Sequence, residues 1–206
     1  MESGPEPGTI LNTSGEPTVP RQAATVIVLR GGSRRLEVLM VQRTPKARFM
    51  GGAWVFPGGA VDAHEGEGDA AHRAAAVREV QEEAGLTLPD PAALVPFARW
   101  ITPPEVTVRF DTYFFLARAP ENQEAEPDGQ ETVDARWFTP ARALEGGEAG
   151  DLLLVFPTIK NLERLARFDS ADALLEWAAQ HEIRPVQPRV EGQGEAARIV
   201  LEDDDD

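Results

Sequence analysis

The rhythm of hydrophobic and polar positions changes several times along the chain. Residues 1–22 show no periodic apolar pattern and read as a flexible arm rich in Gly, Pro, Glu and Thr. Ala23–Arg30 is a short apolar run stopped by Gly31-Gly32-Ser33, and Leu36–Arg43 is a second, so the two are expected to form a β-hairpin. Ala53–Phe56 reads as a short strand running into Pro57-Gly58-Gly59, a breaker. An alanine-rich helix is expected over Asp69–Ala84, with Asp69 placed to cap its start and Gly85 to end it. Leu94–Ile101, Val106–Arg118 and Val133–Phe138 predict further strands, with a polar acidic loop over residues 119–131. Helical spacing returns over Pro157–Phe168 (Leu162, Leu165, Ala166) and Ser170–His181 (Leu174, Leu175, Trp177, Ala178). The stretch Ile183–Leu201 adds one or two strands. Strands, one central helix, more strands and then helices make an α+β protein on a mixed β-sheet. The expected organisation is an arm over 1–22, a main domain over 23–182, and an extension with an acidic tail over 183–206.

Composition narrows the function. The chain of 206 residues suits one domain of ordinary size. Acidic side chains outnumber basic ones 35 to 20, for a net charge of −15, which repels nucleic-acid backbones and anionic membranes. Neither is an expected partner, although a small anionic ligand can still bind through metal ions and a few basic groups. There is no cysteine, which excludes disulfides, zinc–thiolate sites and a cysteine nucleophile. No stretch approaches the length of a membrane span, and the arm lacks the apolar core of a signal peptide, so a cytoplasmic protein is the default expectation.

The most informative segment is Arg78-Glu79-Val80-Gln81-Glu82-Glu83-Ala84-Gly85-Leu86. Spacings of three and four place Glu79, Glu82 and Glu83 on one helix face. Like charges so placed cost a few tenths of a kcal/mol per pair. A solvated acidic face is the ordinary explanation of such a cluster, and a hard divalent cation with oxygen ligands is the alternative. Average residue usage makes R-E-x-x-E-E-x-G a chance match on the order of one in a million per position. The segment also follows a strand and a glycine turn, and glycine lets backbone approach a ligand closely.

These residues resemble the Nudix box, G-x5-E-x7-R-E-U-x-E-E-x-G-U, with U aliphatic. Gly59, Arg78, Glu79, Val80, Glu82, Glu83, Gly85 and Leu86 match its letters, but the loop between Gly59 and Arg78 is five residues longer. The early Glu of the box therefore falls on Glu65 counting forward, or on Ala70 counting back. The segments Trp54-Val55-Phe56-Pro57-Gly58-Gly59-Ala60-Val61-Asp62, Trp100-Ile101-Thr102-Pro103, Arg109-Phe110-Asp111-Thr112-Tyr113-Phe114-Phe115 and Ala135-Arg136-Trp137-Phe138 resemble the branch of nudix-type-19 coenzyme A diphosphatases and their bacterial relatives.

The resemblance implies a Nudix-type α/β/α sandwich and metal-dependent hydrolysis of a diphosphate linkage in a nucleoside diphosphate derivative. Coenzyme A or an acyl-coenzyme A is one candidate substrate; ADP-ribose, NADH and non-catalytic nucleotide sensing are the alternatives. It further implies Mg²⁺ or Mn²⁺ held by Glu79, Glu82, Glu83 and the Gly59 carbonyl, with Arg78 orienting a carboxylate. Glu82, Glu83 and Glu131 are the candidate proton acceptors. Arg43, Arg109, Gly58 and Gly59 are the candidate substrate contacts, and Trp54, Trp100 and Phe110 either stack on a base or pack the core. A homodimer is the assembly such relatives admit. His64, His72 and His181 show no ligand spacing and read as loop or helix-surface residues.

Overall fold

The structure, a computed structural model, describes residues 12, 15–47, 49–191 and 198–201. The expected acidic tail at 203–206 and most of the N-terminal arm lie outside those residues. The chain runs through β1 (Arg21–Arg30), β2 (Glu37–Arg43), β3 (Trp54–Val55), β4 (Gly58–Ala60), α1 (Gly68–Ala84), β5 (Val95–Ile101), β6 (Phe110–Arg118) and β7 (Thr132–Phe138). It continues through α2 (Pro140–Ala149), α3 (Phe156–Leu165), α4 (Ala171–Ala179), β8 (Pro185–Val186), β9 (Arg189–Glu191) and β10 (Arg198–Val200).

The main sheet has the order β3-β2-β1-β6-β5-β8, with β4 added to β1 and β7 to β2. It is mixed: β1 runs parallel to β6 and antiparallel to β2 and β4. Because side chains alternate along a strand, β1 feeds two cores. Ala24, Val26 and Val28 face α1, against Ala75, Ala76 and Val80. Ile27 and Leu29 face the opposite layer, with Phe97, Leu162, Leu165 and Leu174. The result is the expected α/β/α sandwich on a central mixed sheet.

Several local expectations are corrected. The Gly58-Gly59 turn also pairs: Gly58, Gly59 and Ala60 form β4, opposite Thr25, Ala24 and Ala23. The sequence pattern predicts no helix over Pro140–Ala149, yet α2 forms there, opening on a Thr139 side-chain cap with Pro140 in its first turn. Asp69 does not cap α1, whose N-cap is Glu67 without a side-chain hydrogen bond, and Asp69 lies in the first turn. Gly85 does end α1, in the left-handed conformation at φ 67° that glycine adopts without strain. The strand expected from Val106 begins only at Phe110. Part of the supposed arm is tied down: the Thr18 hydroxyl donates to the Thr107 carbonyl at 2.8 Å, and β1 already starts at Arg21. The C-terminal segment packs on the domain, with β8 parallel to β5 and Ile199 and Leu201 against the core.

Candidate active site

The site grows from the way α1 lies on the sheet. Its buried face is built of small residues, Ala71, Ala75, Ala76, Val80 and Ala84, so the helix sits close to β1 and β4. That closeness brings carboxylates onto a glycine strand. The Gly58 N–H donates to Oε2 of Glu83 at 2.9 Å. A methyl group built on Gly59 would overlap the Glu79 carboxylate, so this position needs a residue without a side chain.

Arg78 organises the acids around it. Its Nε donates to Oε1 of Glu65 at 3.0 Å, and its Nη1 to Glu79 at 2.7 Å and to Glu82 at 2.9 Å. Its Nη2 reaches the Ala60 carbonyl at 3.0 Å. Glu65 also accepts from the Asp62 N–H at 2.7 Å. Of the two positions the count allowed, Glu65 is the one that meets Arg78, while Ala70 is exposed on the first turn of α1. The extra loop length is absorbed before the helix, where a short turn over Ala63–Glu65 returns Glu65 to Arg78. Burial pushes the Glu65 carboxyl up, but its bonds to Arg78 and Asp62 outweigh that and hold it below the usual range.

Two carboxylates lie deep. Burial pushes Glu83 up to about 7; Glu79 and Glu131 add to the effect, and the Gly58 N–H and Arg43 oppose it. Burial raises Glu79 as well, against the pull of Arg78. Closely placed acids that lose water without full neutralisation destabilise their charged forms. Arg43 forms an ion pair with Glu83, its Nη1 standing 3.7 Å from Oε1. The Nε of Arg43 is buried with no partner among the described residues.

Glu131 enters from another element. Asp128 accepts N–H bonds from Gln130, Glu131 and Thr132, and the Thr132 hydroxyl donates to the Glu83 carbonyl at 2.7 Å. The start of β7 is thereby fastened to the end of α1, and Glu131 comes to the acids.

A cleft of about 420 Å³ opens beside this cluster. It is lined by Glu79, Glu83, Glu131, Arg43, Gly58 and Gly59, and continues over Thr25, Thr112, Phe114 and Trp100. The structure therefore brings together most of the expected site residues. Glu82 is the exception among the acids: its side chain is 57% exposed, it bonds to Arg78, and it lies off the cleft lining. Arg109 is corrected more firmly. It is buried, spends Nε on the Thr102 carbonyl and Nη1 on the Thr18 carbonyl, and does not line the cleft. Its observed partners fasten the segment before β1 to the β5–β6 connection. Trp54 packs edge-on against Phe138 in the core, while Trp100 and Phe110 do line the cleft. His72 is buried rather than on the surface: it bonds Gly68 and Gln22 and packs on Tyr113. Arg21, Phe49 and Thr158 line the cleft and were not singled out as contacts. Arg21 had no motif around it, and the other two reach the cleft only through tertiary packing. A second depression of about 550 Å³ between β7 and α2 contains none of the box acids.

Among the described residues no group of three acidic or histidine side chains is arranged to hold a metal ion. The hydrogen bonds explain this: Glu79 and Glu82 are drawn onto Arg78, and Glu83 onto Gly58. The chemistry of the donors nevertheless fits a hard cation, because Glu79 and Glu83 are desolvated carboxylates whose charged forms need compensation.

The NUDIX domain family matches residues 19–156. The chain belongs to this family. It is 27% identical over 186 residues to nudix hydrolase 7 of Caenorhabditis elegans, covering 74% of this chain and 62% of that protein. It is 25% identical to the human acyl-coenzyme A diphosphatase NUDT19, covering 75% of this chain and 70% of the human one. Among solved structures it resembles a NUDIX hydrolase from Alicyclobacillus acidocaldarius, with a TM-score of 0.69, 28% identity, and coverage of 77% and 96% of the two chains. Among the described residues no helix is long and apolar enough to cross a membrane.

Proposed function

We propose that this NUDIX protein hydrolyses the diphosphate linkage of a nucleoside diphosphate derivative, with coenzyme A or an acyl-coenzyme A as the substrate to test first. The observation that carries the reading is the desolvated Glu79–Glu83 pair set against the Gly58-Gly59 strand at the wall of a cleft that also contains Arg43. The likeness to the human acyl-coenzyme A diphosphatase supports the choice of substrate.

Glu79, Glu82 and Glu83, with the Gly59 carbonyl, would hold Mg²⁺ or Mn²⁺. Such ions neutralise diphosphate oxygens and lower the pKa of a bound water. The chain's own residues do the rest. Arg78 fixes the carboxylates in a common layer and keeps them from splaying in solvent. Arg43 lines the cleft beside Glu83, and its guanidinium supplies positive charge for a phosphate oxygen. Glu131, exposed and on the cleft, takes the proton of the attacking water; a positioned carboxylate contributes about 10²- to 10⁴-fold in such a role.

The test is product analysis by mass spectrometry. The full chain is incubated with Mg²⁺ or Mn²⁺ and coenzyme A, acyl-coenzyme A, ADP-ribose, NADH, UDP-sugars and nucleoside triphosphates. The expected result is cleavage at a diphosphate, reduced about 100-fold or more in Glu83→Gln and in Glu131→Gln. Absence of any cleavage by a folded, metal-binding protein, or near-normal rates in both variants, overturns the proposal.

A further inference from the structure

The cleft extends past the part of the chain that the NUDIX family match covers. Pro188 and Ile199, both beyond residue 156, line it. Their route there is visible in the pairing. β8 adds to the outer edge of β5, placing Val186 opposite Trp100. The chain then turns into β9, which pairs antiparallel with β10 so that Val190 faces Ile199. Ile199 packs against the same core cluster that contains Trp100 and Phe156.

This end of the cleft differs from the acidic end in position and in chemistry. The acids lie at β4 and β1, and the sheet continues β1-β6-β5-β8. At about 4.8 Å per strand, β5 and β8 stand roughly 10 and 14 Å across the sheet from β1. The far wall presents Trp100, Val106, Phe110, Phe156, Pro188 and Ile199. Its polar atoms are largely committed already. The Trp100 indole N–H donates to Oδ1 of Asn161 at 3.3 Å, and the Thr102 hydroxyl accepts the Phe110 N–H at 3.0 Å. Thr158 is only 4% exposed there, and the charged side chain bordering this wall, Arg21, stands on β1 opposite Phe110. The hydroxyls of a sugar or the ring nitrogens of a purine would lose water here and find few partners. An aliphatic or branched group loses nothing of the kind and buries apolar surface.

We infer that the C-terminal segment around Pro188 and Ile199 is a specificity wall, which seats the non-nucleotide arm of the diphosphate substrate and selects an apolar arm over a sugar. The inference rests on the diphosphate-hydrolase reading above. It goes beyond that reading because these residues lie outside the family match.

The experiment compares a medium-chain acyl-coenzyme A, whose second arm ends in an aliphatic chain, with ADP-ribose, whose second arm is a sugar. The wild-type chain, Ile199→Ser, Ile199→Trp and the conservative, one-methylene-smaller Ile199→Val are assayed with Mg²⁺. The kcat/KM ratio of the acyl-coenzyme A to ADP-ribose should fall about tenfold in Ile199→Ser and in Ile199→Trp, mainly through KM, and stay near wild type in Ile199→Val. Calorimetric titration of the same variants with the acyl-coenzyme A, in chelator to prevent turnover, should show a parallel weakening of Kd. Ile199 lies on a short, partly exposed strand, and thermal midpoints show that folded proteins are being compared. A ratio unmoved by both Ser and Trp, or an equal loss on both substrates, overturns the wall. Failure of the wild type to cleave either compound instead overturns the hydrolase reading, and calorimetry still tests the wall.

Discussion

Glu83→Gln should make the metal-free protein more stable at alkaline pH, although it removes a residue proposed to be essential. Burial raises the Glu83 carboxyl to about 7 from its ordinary 4.5. The folded state therefore holds this proton more tightly than the unfolded chain does. The contribution of Glu83 to stability is then complete below about pH 4.5 and is lost as pH rises through 7. Each pKa unit is worth about 1.4 kcal/mol. Relative to the fully protonated carboxyl, Glu83 thus costs the fold about 1 kcal/mol at pH 5.5, where only the unfolded chain has ionised it, and about 3 kcal/mol at pH 8, where both states have. Glu79 is shifted in the same direction and adds to the trend. Glu65, Asp111 and Asp128 are held below the usual range, so their contributions disappear only in more acidic solution.

Glutamine keeps an acceptor for the Gly58 N–H and carries no charge. The assay is urea unfolding in excess chelator at pH 5.5 and pH 8, followed by the fluorescence of the four tryptophans. The variant should gain about 1 kcal/mol over wild type at the lower pH and about 3 kcal/mol at the higher. Mg²⁺ should stabilise the wild type more than the variant and narrow the gap. Equal stabilities of the two proteins at pH 8 without metal, or a wild type that grows more stable between the two pH values, would refute the argument.

Two further outcomes follow from the same packing. Gly59→Ala should displace the Glu79 carboxylate it overlaps, costing about 1–3 kcal/mol by overpacking and lowering turnover sharply, which unfolding and steady-state kinetics can measure. Glu65→Ala should destabilise the fold by about 1–3 kcal/mol, because Arg78 loses a charged partner, whereas Ala70→Ser on the exposed first turn of α1 should stay within about 0.5 kcal/mol in the same unfolding assay.

The sandwich was legible because its strands and its central helix carry strong periodic signals, and the box acids were legible because their spacing is specific. What sequence missed was decided by contacts distant along the chain. Gly58 and Gly59 read as a breaker, yet they become a strand because β1 offers them a paired edge and α1 requires bare backbone. The helix α2 carries Gly146 and Gly147, which lower helix propensity, and the Leu152 and Leu154 side chains pack where their Cβ atoms would be. Arg109 looked like a phosphate ligand because a lone arginine in a strand motif does not reveal its partners; two backbone carbonyls claim it. His72 is buried because Gln22, fifty residues earlier, takes its ring nitrogen. Counting alone left the early glutamate between Glu65 and Ala70. Only the turn that brings Glu65 back to Arg78 separates them.

The placement of β1 has a consequence for how the protein is made. This strand leaves the ribosome well before its parallel partner β6, which it pairs from Arg21 opposite Phe110 to Leu29 opposite Arg118. Nearly ninety residues separate the two. A nascent chain can close the β1–β2 hairpin early, but the apolar run Val26–Leu29 keeps one edge unpaired until residue 118 has been added. At 5–20 residues per second that wait is on the order of 5–20 s. During synthesis the central strand of the finished sheet is thus an outer one, and the interval in which it lacks its neighbour is when this chain is most exposed to wrong pairings.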